Sequence, residues 1–586
     1  MSIETRDVPV TSEQSVESFD EAAEAFLVLL LAHGSEKVFI NPGTDTFPIQ
    51  EAWARRRERG LPIPEPIQCI HEHTAISAAH GYFLATGRPQ TVLVHVDAGT
   101  QNAGGALHNA QRAQAGMVFC AGRAPYTWDG EMRGSKDTNI HWWQEQMDQA
   151  GIVRGFVKWH YELSRTENMA GVIERAFAVA GNEPAGPVYM TLPREVLMLP
   201  AKDVRLPGPR QTSRAVAPVP DPAALREAAA MLVKAERPLI VVGRAGRDPR
   251  SAPEIGRLAE QLGAGTVHAP EYASVPASHP LNFGPRLAEK LPQADVVLLL
   301  DPDVPWVPKQ VKPAPDARVI QIDREPLHER YVIWNFPIDL RIAGSVAGAL
   351  PVLRAQIEEL QSDPQRQHAQ ARRETVAADR SAWLRNLEER ARGKASQTPM
   401  DGEWVAWTLK NVLPAETILV EDTVTNRHAV QAHLQREEPG TYFSAGGSSL
   451  GWPNNAAIGV KLARPDRPVV ALTGDGGFVF SNPVAALWTA AHANAPIMTV
   501  VFNNSGYNAS KAPISNLYPN GAVARSNDGV VTSFDPAPDY AKIAEACGAY
   551  GVTVTEPGEL ESALRRALDE VQHGRSAVVN TILRKI

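Results

Sequence analysis

The chain has 586 residues, of which 44% are hydrophobic and 21% charged, and carries a net charge of −8 with both signs interspersed. That length exceeds one hydrophobic core and predicts three or four domains, and the charge pattern excludes the basic footprint of a nucleic-acid-binding protein. Cys69, Cys120 and Cys547 lie far apart with no CxxC or His-rich neighbourhood, which argues against disulfides and zinc and fits a reducing cytoplasm.

The opening MSIETRDVPVTSEQSVESFD is polar and acidic, so no signal peptide is expected. The longest apolar run, AFLVLLLA at 25–32, is too short to cross a bilayer and reads as a buried amphipathic helix. From about residue 16 the pattern is helix, then the strand VFI at 38–40, then the turn NPGTDTFP containing Thr44, and helix and strand alternate to about 200. Such alternation predicts a doubly wound parallel sheet. In IQCIHEHTAISAAHGYFLATG, a strand near Ile67 meets a small-residue helix with Glu72 at the junction. An acid there serves either as a cap and dipole partner or as a functional group at the ligand-binding end of the sheet. Next, TVLVHVDAGTQNAGGALHNAQRAQAGMVFCAGR reads as a strand ending near His95, a glycine-rich turn, a helix and a strand. Gly99, Gly104 and Gly105 lack GxGxxG spacing, so tight strand-to-helix packing explains them. Trp142, Trp143 and Trp159 wall a substrate entrance or pack, and packing is the favoured reading.

Residues 201–221 are proline-rich and basic without apolar periodicity and read as a linker. A second α/β domain spans 222–361, with strands PLIVVG, GTVHAP, DVVLLLD, ARVIQID and DLRIAGS. VVGRAGRD lacks the full dinucleotide fingerprint, and Asp301 and Asp303 read as turn residues. Residues 362–399 are charged at helical spacing and read as a solvated helical linker. In the third domain, 400–586, the strand ETILVED leads to Thr423 at a helix start, followed by TYFSAGGSSLGWPNNAAIGVKLA with Ser448 and Leu450.

The richest stretch is VVALTGDGGFVFSNPVAALWTAAHANAPIMTVVFNNSGY, 469–507. A strand that stops at Gly474, Gly476 and Gly477 before a helix leaves N–H groups free to cradle a diphosphate. Asp475 beside that anion requires a divalent cation, and hard oxygens suit Mg²⁺, with the Asn504 amide and the Gly506 carbonyl as further ligands.

This stretch resembles the cofactor motif of thiamine diphosphate (ThDP) enzymes, the branch holding benzoylformate decarboxylase, pyruvate decarboxylase and acetolactate synthase, and the likeness spans nearly the whole chain. It implies three doubly wound parallel-sheet α/β domains: pyrimidine-binding (1–200), central, and diphosphate-binding (400–586). The resemblance makes Glu72 the activating glutamate at pyrimidine N1′, Ser448 and Leu450 the aminopyrimidine contacts, and Thr423, Gly474, Asp475, Gly476, Gly477, Asn504, Gly506 and Tyr507 the cofactor cradle. Metal ligands are then Asp475, Asn504 and Gly506. Thr44 and His95 match pocket residues of benzoylformate decarboxylase, whose second pocket histidine has no counterpart here. The implied activity is that of a 2-oxo acid decarboxylase or carboligase in the cytoplasm, acting on a small-molecule 2-oxo acid and a carbonyl acceptor. It implies a homodimer at least, or a homotetramer, because one subunit's glutamate meets ThDP held by another. The alternatives are an acetolactate synthase-like enzyme with FAD in the central domain and a ThDP-binding sensor or scaffold without turnover.

Overall fold

The computed structural model describes residues 15–208, 215–268 and 272–585. The polar opening before residue 15 and the centre of the expected linker, 209–214, lie outside the described residues. Among the described residues three parallel sheets, of six, five and six strands, carry the fold, the first as the alternating pattern predicts and all three as the resemblance implies. By density of contacts the chain divides into two compact units.

The first unit, residues 1–215, 445–465 and 479–496, holds a sheet in the order Glu65–Gln68, Lys37–Ile40, Gln90–Val94, Met117–Arg123, Pro187–Pro193, His160–Glu162. Its central strands are buried along their whole length, as a parallel sheet covered on both faces requires. From Lys37–Ile40 the chain goes first to one side and then returns to the other, so the order reverses between that strand and Gln90–Val94. In doubly wound sheets the crevice at such a reversal, beyond the carboxyl ends of the strands, is where ligands sit.

Several expectations are corrected here. Chain order opens on a strand, Ser15–Phe19, and not on a helix. The run at 25–32 belongs to the helix Ala22–Ala32, which is buried nearly all round rather than amphipathic, because its leucines and alanines leave no polar stripe. The first part of the expected linker is a strand, Ala201–Leu206, which pairs antiparallel with Ser15–Phe19 and buries Ala201 and Val204.

One contact organises the rest of this unit. The helix Glu72–Thr86 crosses the helix Trp452–Ala463, and at the crossing both helices carry glycine. A Cβ at Gly81 would collide with the Ala456 carbonyl, and one at Gly459 with the Ala78 carbonyl. The small-residue run therefore allows backbone-to-backbone approach, and Thr74 Oγ1 to Asn455 Oδ1 at 2.8 Å and Trp452 Nε1 to His80 Nδ1 at 2.9 Å lock the register.

The second unit, 216–444, 466–478 and 497–586, holds the other two sheets. The central one runs Gly265–His268, Pro238–Val242, Val296–Leu300, Arg318–Asp323, Leu340–Ala343, the five strands the sequence predicts. The expected helical linker is one helix, Asp363–Arg392, opened by a capping box between Ser362 and Gln365. It is less solvated than its charge suggests, since Ala369, Arg380, Leu387 and Ala391 are buried. The last sheet runs Tyr442–Ser444, Ile418–Asp422, Val469–Gly474, Met498–Asn503, Ala577–Ile582, Tyr550–Val554. Its order reverses between Ile418–Asp422 and Val469–Gly474. Each fully buried Val or Leu of these strands contributes about 1.5–3 kcal/mol.

Candidate active site

The edge of the first sheet gathers Glu72, His95 and the turn 41–46. Glu72 is the first residue of its helix, yet it is not the cap: His71 Nδ1 accepts from the His73 N–H at 3.1 Å. The Glu72 carboxylate is 5% exposed and receives Nδ2 of Asn41 at 2.8 Å and Nδ2 of Asn102 at 3.2 Å. Two side-chain amides thus hold it in the crevice. Gly99, expected in a turn, lies inside the helix Val96–Asn102, where a Cβ would sit 3.1 Å from Glu72 Oε1. Gly104 and Gly105 likewise lie in the helix Gly104–Arg112.

His95 directly follows the strand Gln90–Val94, and its Nδ1 is hydrogen-bonded to Oδ1 of buried Asp45. This bond raises the His95 pKa above the ordinary histidine value. The pair is built into the backbone: a Cβ at Gly43 would strike the His95 ring, and one at Gly122 would fall on the Asp45 carboxylate. Val96, next in the chain, has φ 27, a costly conformation for a β-branched residue. Thr44 is exposed, its carbonyl accepting from Arg194 Nη1 at 3.3 Å. Trp142 and Trp143, expected to pack, are 47% and 76% exposed, because the short helix Ile140–Trp143 projects them from a loop. Trp159 does pack, stacking on Tyr161 at 5.8 Å.

At the edge of the last sheet, Val469–Gly474 passes straight into the helix Asp475–Phe480, so Gly476 and Gly477 are helical and not a separate turn. Asp475 is 2% exposed; it accepts from the Gly476 N–H at 2.9 Å and from the Gly506 N–H at 2.8 Å. Burial pushes its carboxyl up to about 6. Asn504, at the end of the adjacent strand, carries a buried Oδ1 with no hydrogen-bond partner. An acceptor left bare at the end of the strand next to a buried carboxylate with no cationic partner among the described residues is costly by itself and fits a hard divalent cation. The Gly506 carbonyl accepts from the Asn508 N–H at 3.0 Å and keeps a second lone pair. A Cβ at Gly474 would make only ordinary contact with the Thr423 carbonyl at 3.9 Å, whereas at Gly476 a Cβ would press on the Tyr507 ring. A cavity of about 280 Å³ lined by Asn504, Gly506, Tyr507 and Lys511 adjoins these residues.

Thr423 ends the neighbouring strand, but its N–H and hydroxyl both donate to Glu421 at 2.6 Å. Glu421 is fully buried and also accepts from Tyr442 Oη at 3.0 Å. Val424 follows with φ 46, a second strained valine at a strand end. In the first unit, Ser448 is exposed, with its Oγ 3.3 Å from His108 Nε2, and Leu450 is half-buried. The segment before Leu450 is clamped by Asn109, which accepts from the Ser449 N–H at 3.0 Å and donates to its carbonyl at 2.8 Å.

The reversal in the central sheet is filled by its own side chains. Asp303, expected as a turn residue, pairs with buried Arg244 at 3.0 Å and accepts from Tyr331 Oη at 2.6 Å. Asp301 is buried with φ 44, and burial pushes its carboxyl up to about 7. Both partners come from distant sequence, which is why the turn reading overlooked them.

The sequence reading missed Asn41, Asp45, Asn102 and Glu421. Asn41 and Asp45 flank Thr44 in a turn whose position after the strand was a signal; Asn102 and Glu421 carry none.

Three descriptions of the thiamine pyrophosphate enzymes match the chain: the N-terminal TPP binding domain over 20–152, the central domain over 225–353 and the C-terminal TPP binding domain over 422–581. The chain belongs to the thiamine pyrophosphate enzymes. It is similar to the sulfoacetaldehyde acetyltransferase of Rhodobacter capsulatus, with 28% identity over 96% of this chain and 94% of that one. It is similar also to the benzoylformate decarboxylase of Pseudomonas aeruginosa, with 26% identity over 92% and 95%. The structure of benzoylformate decarboxylase from Polynucleobacter necessarius shares the fold, with a TM-score of 0.76 at 21% identity, covering 97% of this chain and 99% of that one. Among the described residues, no helix is long and apolar enough to cross a membrane.

Proposed function

We propose that this protein is a ThDP- and Mg²⁺-dependent enzyme that cleaves or forms a C–C bond at the carbonyl carbon of a 2-oxo acid, as a decarboxylase or carboligase. The observation that carries the reading is the buried Asp475 carboxylate next to the bare Asn504 amide oxygen, in a family whose cofactor presents a diphosphate. Asp475, Asn504 and the Gly506 carbonyl hold the metal ion. Gly474, Gly476, Gly477, Thr423 and Tyr507 border the diphosphate, with Thr423 oriented by Glu421. Ser448 and Leu450 receive the aminopyrimidine.

When bound, the cofactor would supply a nucleophilic thiazolium C2 and an electron sink for the C–C bond pair released as CO₂ leaves. The residues of this chain set geometry and protons around it. Glu72, held by Asn41 and Asn102, exchanges a proton with pyrimidine N1′. His95 and Thr44, at the same sheet edge, orient the substrate carboxylate, and His95 supplies a proton to the product carbon. The partner is a small-molecule 2-oxo acid, the assembly a dimer or a tetramer built from it, and the compartment the cytoplasm.

The similarity to an acetyltransferase favours one variant of this reading, transfer of the acyl fragment to an acceptor other than a proton. Incubating the protein with ThDP, Mg²⁺ and a panel of 2-oxo acids, with and without an aldehyde as acceptor, separates the outcomes. CO₂ with free aldehyde marks a decarboxylase, and acyloin marks transfer of the acyl fragment to a carbonyl acceptor. Absence of CO₂ release across the whole panel would overturn the proposal and leave a ThDP-binding protein without turnover.

A further inference from the structure

The Asp45–His95 pair has more structure around it than a pocket histidine needs. Asp45 is buried in the turn after Lys37–Ile40 and directs Oδ1 at His95 Nδ1; its Oδ2 lies 3.5 Å from the Val96 N. Neither Gly43 nor Gly122 can take a side chain without displacing the pair. The strand end bends at Val96 in a strained conformation that brings the ring onto the carboxylate. With Nδ1 engaged by Asp45 and the side chain 23% exposed, Nε2 is the ring nitrogen left for a second partner.

We propose that Asp45 is the positioning residue of this site: its buried carboxylate fixes the His95 ring through Nδ1–H and holds it as an imidazolium, so that Nε2–H meets the substrate as a donor. The donor role rests on the 2-oxo acid reading given above. In the step served, the Nε2–H bond breaks as a C–H bond forms at the carbon that has lost CO₂. His95 is left neutral, with Nδ1–H still on Asp45, and regains its proton from water.

The groups facing the ring agree in sign. Asp45 comes from the turn, Asp97 from the histidine's own helix and Gln144 from beyond the helix Ile140–Trp143, and each favours the charged form. His141 also lies near the ring, and its own pKa is lowered by burial first and then by the neighbouring Arg194 and Lys136, with Asp137 opposing. The geometry therefore sets the carboxylates of Asp45 and Asp97 near the ring, against burial, which favours the neutral form.

The test reads the protonation of His95 directly, on protein free of cofactor and substrate. In histidine-labelled protein, the His95 resonance is assigned by its loss in His95→Gln. Its NMR titration midpoint should lie above about 6.5, the ordinary value, and Asp45→Asn should lower it by about one pH unit or more. Asp97→Asn should lower it less. In the loaded enzyme, Asp45→Asn should lower kcat about 10-fold or more with KM little changed, and should move the alkaline limb of the kcat profile to lower pH. A wild-type midpoint at or below 6.5 overturns the proposal even where Asp45→Asn fails to fold, and so does an unchanged midpoint in a folded Asp45→Asn. If every 2-oxo acid is inert, the functional reading and the donor step fall together, while the titration still decides whether Asp45 holds the imidazolium.

Discussion

Glu72 shows how much a single residue's neighbours change its meaning. An acid at a helix start is ordinarily a cap, but His71 takes the cap and two asparagine amides take the carboxylate. Glu72→Gln would set an amide N–H₂ against the donor of Asn41 or Asn102, and it removes the exchangeable proton. Turnover should fall roughly 10²-fold or more while ThDP affinity by calorimetry stays near wild type; turnover within a fewfold of wild type would remove Glu72 from the chemistry. Asp475→Ala and Asn504→Ala should each abolish Mg²⁺-dependent ThDP binding in the same calorimeter, since each deletes an oxygen that offsets the diphosphate charge. Unchanged affinity in both variants would move the metal site elsewhere. The Asp45–His95 pair also links to stability. The folded-state pKa of His95 is raised, so the stability it contributes is complete below its unfolded value of about 6.5 and is lost as pH rises through the folded value. The stability gap between wild type and Asp45→Asn, measured by denaturant unfolding, should therefore be widest in mild acid and narrow toward alkaline pH. A gap that widens with pH would show that the ring is neutral in the folded protein.

At the scale of elements, the crossing of Glu72–Thr86 with Trp452–Ala463 is the most demanding contact in the first unit. Gly81 and Gly459 stand where backbone carbonyls of the other helix would meet a side chain. Gly459→Val should force the helices apart or strain them, costing about 1–3 kcal/mol or more and lowering the thermal midpoint by several degrees. An alanine-tolerant position such as Gly104, which has open space around its Cβ, is the matched control. Equal thermal midpoints for Gly459→Val and Gly104→Ala would mean that the crossing is looser than the structure depicts. Because Glu72 opens the first of these helices and Leu450 precedes the second, Gly459→Val should also depress turnover, by displacing both.

For the whole molecule, the proposed sharing of the site between chains is tested by light scattering, with a dimer or larger as the expected result and an active monomer as the refuting one. Mixing Glu72→Gln with Asp475→Ala chains should restore part of the activity if the glutamate and the metal motif are contributed by different subunits, and none if one chain supplies both. The alternation of apolar runs and helices was enough to predict the first doubly wound sheet and all five central strands, because a strand buried on both faces must be apolar throughout, and that is written locally; three such domains followed from the family resemblance. The glycine-flanked Asp475 and the Asn504 after the next strand were legible for the same reason: backbone geometry and ligand chemistry at a strand end leave a short-range mark. Other features depended on partners remote in the chain. Ala201–Leu206 became a strand only because Ser15–Phe19 lay free to pair with it. Asp303 became an ion-pair partner only when Arg244 was brought beside it, and Asp45 a histidine's hydrogen-bond partner only when the sheet order set its turn against Gln90–Val94. Local sequence determined which elements form and where glycine and carboxylate chemistry is stored. Tertiary structure alone decided which carboxylate meets which partner, because the energy of a buried charge depends on what surrounds it in space and not on what precedes it in the chain.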